Sequence, residues 1–191
     1  MSMLLEAAPA VWGPMAANQY QIADNMTDRY AALSALVAHG AKQAKDCLID
    51  FYNRFANDAL VIDKWFGLQS SRPPVDGLDS TLTEVKKLRE HPAFKLNNPN
   101  RVRSVIHSFC ANNPAGFHQA DGSGYEFWAD SVLALDPINP QVAARLARAL
   151  DRWRLFAQPY QDHMKAALER VSACPTLSPD VREVIGKALG N

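Results

Sequence analysis

The sequence predicts an all-α protein, and three observations support that prediction. Apolar residues recur at the helical spacings i, i+3, i+4 and i+7 through most of the 191 residues. No stretch alternates apolar and polar residues for long enough to indicate a strand. Four capping residues stand directly before a proline, which is typical of helix starts. Together they indicate an irregular array of about ten short helices, stacked as helical hairpins in the manner of armadillo and HEAT repeats.

Five apolar stripes mark the buried faces of predicted helices. In chain order they are Leu48, Phe51, Tyr52 and Phe55; Val102, Val105, Ile106 and Phe109; Val142, Leu146, Leu150 and Trp153; Tyr160, Met164, Leu168 and Val171; and Val181, Val184, Ile185 and Ala188. With the turn signals between them, they predict helices near residues 15–24, 27–39, 42–57, 59–70, 80–90, 99–111, 123–136, 140–156, 159–173 and 179–189.

The helix starts are the clearest local signals. An Asn or Ser oxygen can accept a hydrogen bond from an unpaired N–H of the first turn, and the proline fits the first helical position because its missing N–H is not needed there. The four pairs are Asn98-Pro99, Asn113-Pro114, Asn139-Pro140 and Ser178-Pro179. They recur without a fixed period, so we expect an irregular array rather than a true repeat protein.

Composition excludes several classes of function. Twenty basic and twenty acidic residues cancel, so we expect neither a nucleic-acid partner nor an anionic membrane surface. No apolar run is long enough to span a bilayer, and the first residues lack the pattern of a signal peptide. The three cysteines are widely separated and fit buried free thiols: Cys47, Cys110 and Cys174. These features predict a cytoplasmic protein.

Metal and catalytic motifs are missing from the sequence. A zinc hydrolase usually places two histidines on one helix face beside a carboxylate. No two of the five histidines lie three, four or five residues apart: His39, His91, His107, His118 and His163. We therefore predict no catalytic residue, no metal site and no cofactor in this chain.

The loop from residue 118 to 125 is the most site-like segment. A small hydrolase could use His118, Asp121 and Ser123. The alternative is a turn at Asp121 with Ser123 as helix cap, after which Tyr125 and Trp128 enter the core. The turn is favoured because a local cluster does not by itself assemble a nucleophile and its base.

A basic stripe follows the third predicted cap. Gln141, Arg145, Arg148 and Arg152 are spaced i, i+4, i+7 and i+11, which places them on one helix face opposite the apolar stripe. From spacing alone, a solvated face is favoured over a binding site.

Six short motifs in order resemble the C-terminal helical domain of bacterial aminopeptidase N, a family of zinc-dependent exopeptidases. The segments that match are 23–29 (ADNMTDR), 63–66 (DKWF), 91–94 (HPAF), 98–103 (NPNRVR), 117–125 (FHQADGSGY) and 139–146 (NPQVAARL). The match predicts a helical domain over residues 18–191, the later half of the family's domain, after a poorly matching segment 1–17.

The resemblance implies a non-catalytic role within a metallopeptidase, a hydrolase that removes N-terminal residues from peptides. In the family, this domain packs over the catalytic domain, which alone binds zinc, and controls how peptides enter the active-site cavity. The resemblance places Gln141 and Arg145 at that cavity, and it implies two partners: a catalytic domain, in the same or a separate chain, and a peptide substrate. Arg101, Arg103 and the loop 118–125 match the family pattern too, and we assign them to packing and capping because nothing ties them to substrate. The alternative is a stand-alone helical module that binds a protein or peptide without peptidase activity.

Overall fold

The structure, a computed structural model, describes residues 2–190, and every regular element within that range is helical. The α-helices are α1 (Ser2–Ala7), α2 (Pro9–Ile22), α3 (Met26–Ala38), α4 (Ala44–Phe55), α5 (Ala59–Ser70), α6 (Thr81–Arg89), α7 (Pro99–Val102), α8 (Ser108–Asn112), α9 (Pro114–Phe117), α10 (Ser123–Leu135), α11 (Pro140–Ala147), α12 (Tyr160–Ser172) and α13 (Pro179–Leu189). A π-helical turn, Arg103–His107, joins α7 to α8, and two 3-10 turns, Arg148–Leu150 and Trp153–Leu155, follow α11. The all-α prediction is confirmed.

All four predicted Asn-Pro and Ser-Pro caps are present. Each cap oxygen accepts a hydrogen bond from a first-turn N–H: Asn98 for α7, Asn113 for α9, Asn139 for α11 and Ser178 for α13. The cap therefore satisfies backbone N–H groups that would otherwise lack a partner. The φ angle of the following proline is already restricted to a helical value.

Three predicted helices differ from the observed ones. The helix predicted to begin near residue 15 begins at Pro9, and α1 precedes it. The single helix predicted over 140–156 ends at Ala147 and continues as the two 3-10 turns. Within the second of these turns, the buried indole of Trp153 donates a hydrogen bond of 2.9 Å to the carbonyl oxygen of Ala188 on α13. The helix predicted over 99–111 contains the π-turn.

The helices pack on near neighbours in the chain around one hydrophobic core. In the first half α2 packs on α3, and α5 packs on α6 and the π-turn. In the second half α10 packs on α11 and α12, which both pack on α13. Tyr125 and Trp128 of α10 are at most 1% exposed, so α10 forms the centre of this half. Among residues 2–190, no helix combines the length and the hydrophobicity needed to cross a bilayer.

Arg101 ties three segments of the first half together. Its buried guanidinium pairs with Asp63 of α5, and it donates hydrogen bonds of 3.0 Å to the carbonyl of Ala59 and 3.1 Å to that of Ala93. Arg101 therefore has the packing role that we assigned to it.

Candidate functional site

The predicted site residues lie at a cavity of about 430 Å³ between α11 and α13. Ala144, Val184 and Ala188 supply its apolar lining. Its polar lining comes from α11, from the turn that follows it and from α13: Gln141, Arg145, Arg148, Asp151, Asp180, Glu183 and Lys187. The structure therefore brings the two predicted residues into one cavity.

Gln141 and Arg145 owe their shared direction to the start of α11. The Asn139 side chain accepts a hydrogen bond of 3.1 Å from the N–H of Val142, and Pro140 occupies the first turn. This cap determines where α11 begins. Gln141 and Arg145 are four residues apart, so they lie one turn apart on the same face of that helix. Both side chains are exposed, and within residues 2–190 neither forms a hydrogen bond or an ion pair.

The rest of the basic stripe divides into two parts. Arg148 lines the cavity and lies 3.7 Å from the carboxylate of Asp151, while Arg152 is exposed and does not line it. Burial raises the pKa of the Asp151 carboxyl, and Arg148 opposes that rise. Part of the basic stripe, including Arg148, therefore lines the cavity, whereas Arg152 faces solvent.

The opposite wall of the cavity is acidic. Asp180 and Glu183 of α13 line it, and Glu183 pairs with Lys187 one turn later. Lys187 keeps the pKa of the Glu183 carboxyl below its ordinary value. The guanidinium of Arg145 therefore lies on one wall of the cavity and the carboxylates lie on the other. This arrangement suits a ligand that carries both a positive and a negative charge.

The loop 118–125 forms the predicted turn, and its polar side chains contact one another and the backbone within it. His118 Nδ1 lies 2.9 Å from the Tyr125 hydroxyl, and within residues 2–190 it makes no hydrogen bond to Asp121 or Ser123. The Asp121 carboxylate accepts a hydrogen bond of 2.9 Å from the N–H of Ser123, so Asp121, rather than the predicted Ser123, satisfies the helix start. The predicted turn is present, and Tyr125 enters the core as predicted.

His107 lies near Arg145, and this proximity could not be predicted from the sequence. His107, at the end of the π-turn, is half-buried, and both Arg145 and Arg103 act on it electrostatically. Burial and the two guanidiniums lower the pKa of the His107 imidazole. No spacing rule links residues of the π-turn to α11, because their proximity depends on tertiary packing.

The residues that the structure describes contain no group of three His, Cys, Asp or Glu side chains that could hold a metal ion. Within these residues, the zinc that the resemblance implies for the catalytic domain therefore has no ligand set. Cys47 and Cys110 are buried free thiols and Cys174 is a half-buried one.

Stacked helical hairpins with a cavity along one side define an armadillo-type helical domain. The chain belongs to the family described as a domain of unknown function with ARM repeats (DUF3458_C), whose model matches residues 1–190.

Relatives of known activity agree with this class. The chain is 46% identical over 171 residues to aminopeptidase N of Haemophilus influenzae, which covers 89% of this chain and 19% of that protein. It is 42% identical over 176 residues to aminopeptidase N of Escherichia coli K12, covering 92% of this chain and 20% of that protein. Legionella pneumophila aminopeptidase A, solved in complex with aspartic acid, matches with a TM-score of 0.84 and 34% identity over 93% of this chain and 20% of that chain. The chain thus spans about a fifth of the length of these relatives, matching their C-terminal part, and the resemblance is confirmed.

Proposed function

We propose that this chain is the non-catalytic helical domain of a zinc aminopeptidase, where it covers the active-site cavity and controls the access of peptides. Its partners would be the catalytic domain, in the same or a separate chain, and the peptide substrate. The family membership and the homology to aminopeptidase N support this proposal. The free thiols support the accompanying proposal of a cytoplasmic location, since such thiols are typical of a reducing compartment.

One observation carries the proposal: Gln141 and Arg145 line the same cavity and have no partner within the described chain. The Gln141 amide offers two donors and an acceptor, which would contact the first side chain of a bound peptide. Arg145 offers a permanent positive charge and a forked set of donors to peptide carbonyls or a carboxylate. Side chains with unused hydrogen-bonding capacity on a cavity wall fit contact with a substrate better than internal packing.

The metal-binding residues and the cavity-wall residues would belong to different domains. The zinc and the activated water would belong to the catalytic domain, since the described residues contain no suitable ligand group. This chain would contribute the shape and the charge of the cavity wall. We therefore expect no peptidase activity from the chain alone.

A mixing experiment tests this function. Aminopeptidase N of Escherichia coli, shortened by the region that matches this chain, is assayed with and without the purified chain on alanyl and leucyl chromogenic amides, with zinc measured in the same samples. We expect the chain to restore activity that neither component has alone, and Arg145→Ala to weaken that restoration. Arg152→Ala, which removes an exposed arginine outside the cavity, should restore activity like the unmodified chain. If Arg145→Ala restored as much activity as the unmodified chain, the proposed role of the cavity would be wrong. If the unmodified chain restored no activity, the proposed function would be wrong.

A stand-alone interaction module is the second candidate, and a cavity in the first half of the chain favours it. A groove of about 740 Å³ lies between α4, α5 and the loop before α6, with Leu48, Trp65 and Leu78 in its lining. Lys42 and Lys45 stand at its rim without an ion pair in the described chain, so an apolar peptide segment with acidic flanks would fit it. Binding of such a peptide, together with no restored activity in the mixing experiment, would favour this function.

A further inference from the structure

The groove between α4, α5 and the loop before α6 combines an apolar lining with an excess of positive charge. It has a volume of about 740 Å³ and shares no lining residue with the cavity between α11 and α13. Four cationic side chains and two carboxylates line it: Lys42, Lys45, Arg72, Lys87, Asp79 and Glu84. The whole chain has no net charge, so the excess of cations is a local property of this groove.

The two carboxylates of the groove are bound by the same lysine. Lys87 Nζ lies 2.7 Å from the carboxylate of Asp79 and 2.8 Å from that of Glu84. Lys42 and Lys45 are exposed, and within residues 2–190 neither forms an ion pair. Their charges are therefore available to an acidic partner.

Arg72 places a further cation in the buried part of the lining. It is 7% exposed, and its guanidinium donates hydrogen bonds to backbone carbonyls, at 2.7 Å to Asp79 and at 3.5 Å to Pro73. The Arg72 carbonyl in turn accepts hydrogen bonds from the side chains of Thr81 and Asn113, which hold the residue in place. Within the described chain Arg72 forms no ion pair, and burial lowers the pKa of its guanidinium. A guanidinium has five N–H donors, so several remain for a ligand.

Exposed apolar side chains stand on two walls of the same groove. Ile49 of α4 is 52% exposed, and Leu78 of the loop before α6 is 49% exposed. Leu48 and Trp65 extend the apolar lining. Trp65 is only 8% exposed, so its ring does not offer a face on which a nucleic-acid base could stack.

We propose that this groove binds an acidic amphipathic segment of a partner protein. The apolar side chains of the segment would cover Ile49 and Leu78, and its carboxylates would pair with Lys42, Lys45 and Arg72. A fatty acid fits less well, because it brings one carboxylate to three cations that lack an ion pair. The proposal goes beyond the access role and does not depend on it. It identifies Arg72 as the buried anchor of the groove, whether the chain acts alone or within a larger aminopeptidase.

Fluorescence anisotropy of labelled peptides on the purified chain tests the proposal. The probe is a short peptide with two adjacent leucines between pairs of glutamates. We expect it to bind at least about tenfold more tightly than the same peptide with glutamine for glutamate, which lacks the charges, or with serine for leucine, which lacks the apolar side chains. Octanoate and a short DNA oligomer should not displace it. Equal binding of either altered peptide, or displacement by octanoate or DNA, would overturn the proposal.

Charge variants locate the binding site within the groove. Lys45→Gln and Arg72→Gln should each weaken binding of the leucine-glutamate peptide by about fivefold or more, as expected for losing a charged hydrogen bond. Lys64→Gln is the matched control, because Lys64 is an exposed lysine of α5 outside the groove. Lys45 is also exposed, so its replacement keeps the test valid if Arg72→Gln fails to fold. Unchanged affinity in Lys45→Gln and in a folded Arg72→Gln would show that the groove does not recognise the acidic side chains.

An apolar pair of variants completes the test. Ile49→Ser should weaken binding of the same peptide, since it removes an exposed apolar side chain from the groove wall. Leu60→Ser should not, because Leu60 is 67% exposed and lies outside the groove. Equal effects of the two substitutions would contradict binding in the groove.

This proposal and the access role fail separately. Peptide binding by the purified chain needs no catalytic domain, so it can be observed even if the mixing experiment restores no activity. Restored activity without binding of the leucine-glutamate peptide would leave the access role standing and show that the groove proposal is wrong.

Discussion

The indole of Trp128 donates a hydrogen bond of 3.0 Å from Nε1 to the carbonyl oxygen of Leu146, and both residues are buried. This bond joins α10 to the last turn of α11, the helix that carries the two predicted cavity residues. Trp153 makes an equivalent bond of 2.9 Å to the carbonyl oxygen of Ala188 on α13. The two indoles therefore connect both helices that form the cavity, α11 and α13, to buried side chains of the core.

Trp128→Phe should lower the free energy of unfolding by about 2–4 kcal/mol, since the buried hydrogen bond to the Leu146 carbonyl is lost and the smaller ring leaves a void. Urea denaturation followed by circular dichroism measures this change. Trp12→Phe provides the control, because the half-buried Trp12 makes no hydrogen bond through its indole in the described chain and should lose less than about 1.5 kcal/mol. Equal losses in the two variants would show that the hydrogen bond to Leu146 contributes nothing.

Two glycines in helices should respond in opposite directions to alanine. A Cβ at Gly124 would meet the carbonyl oxygen of Phe117 far inside van der Waals contact, and that oxygen belongs to the backbone. Gly124→Ala should therefore lower the free energy of unfolding by about 3 kcal/mol. A Cβ at Gly186 in α13 would meet nothing within 4 Å, so Gly186→Ala should raise it by about 0.5–1 kcal/mol. Thermal denaturation of both variants checks the pair, and a loss at Gly186 would contradict the open space seen there.

Local sequence signals predicted the helices and their starts, because the chemistry of a cap involves only neighbouring residues. Asn98, Asn113, Asn139 and Ser178 all cap as predicted. The interruptions were missed, because a change from α-helical to π or 3-10 hydrogen bonding depends on contacts with other helices. The segment after α11 shows such a contact, since Trp153 in its second 3-10 turn bonds to Ala188, which lies far away in the sequence.

The same limit applies to the site. The i, i+4 spacing of Gln141 and Arg145 correctly predicted one shared face. Spacing alone favoured a solvated face. The sequence of α11 could not show that α13 packs beside it and forms the other wall of a cavity. The proximity of His107 to Arg145 was not predicted, because nothing in the local sequence of either residue indicates that the chain brings them together.

The buried ion pair between Arg101 and Asp63 should be essential to the first half of the fold. Arg101→Met removes the cation and leaves Asp63 and two carbonyls without their donors, so the free energy of unfolding should fall by about 3–5 kcal/mol. Lys187→Met is the matched control, because it breaks an exposed pair with Glu183 and should cost less than about 1 kcal/mol. Chemical denaturation distinguishes them, and similar small losses would contradict a structural role for Arg101.

Stability should decline as the pH falls below about 6.5, because three histidines are held in their neutral form. Burial lowers the pKa of His91, His107 and His118 below the ordinary 6.5. In that window the unfolded chain binds more protons than the folded chain, so protonation favours unfolding and the free energy of unfolding decreases with decreasing pH. Carboxyls with a lowered pKa, such as that of Asp50, act below their ordinary 3.8 and do not affect this window.

Urea denaturation at about pH 7.5 and pH 5.5 measures the decline. His118→Phe should make it shallower, since it removes one of the three groups while keeping a ring against Phe156. Tyr125→Phe should keep the slope, because burial rather than the hydrogen bond to Tyr125 lowers the pKa of His118. A free energy of unfolding that stays constant or rises between the two pH values would show that these imidazoles are not held neutral by burial.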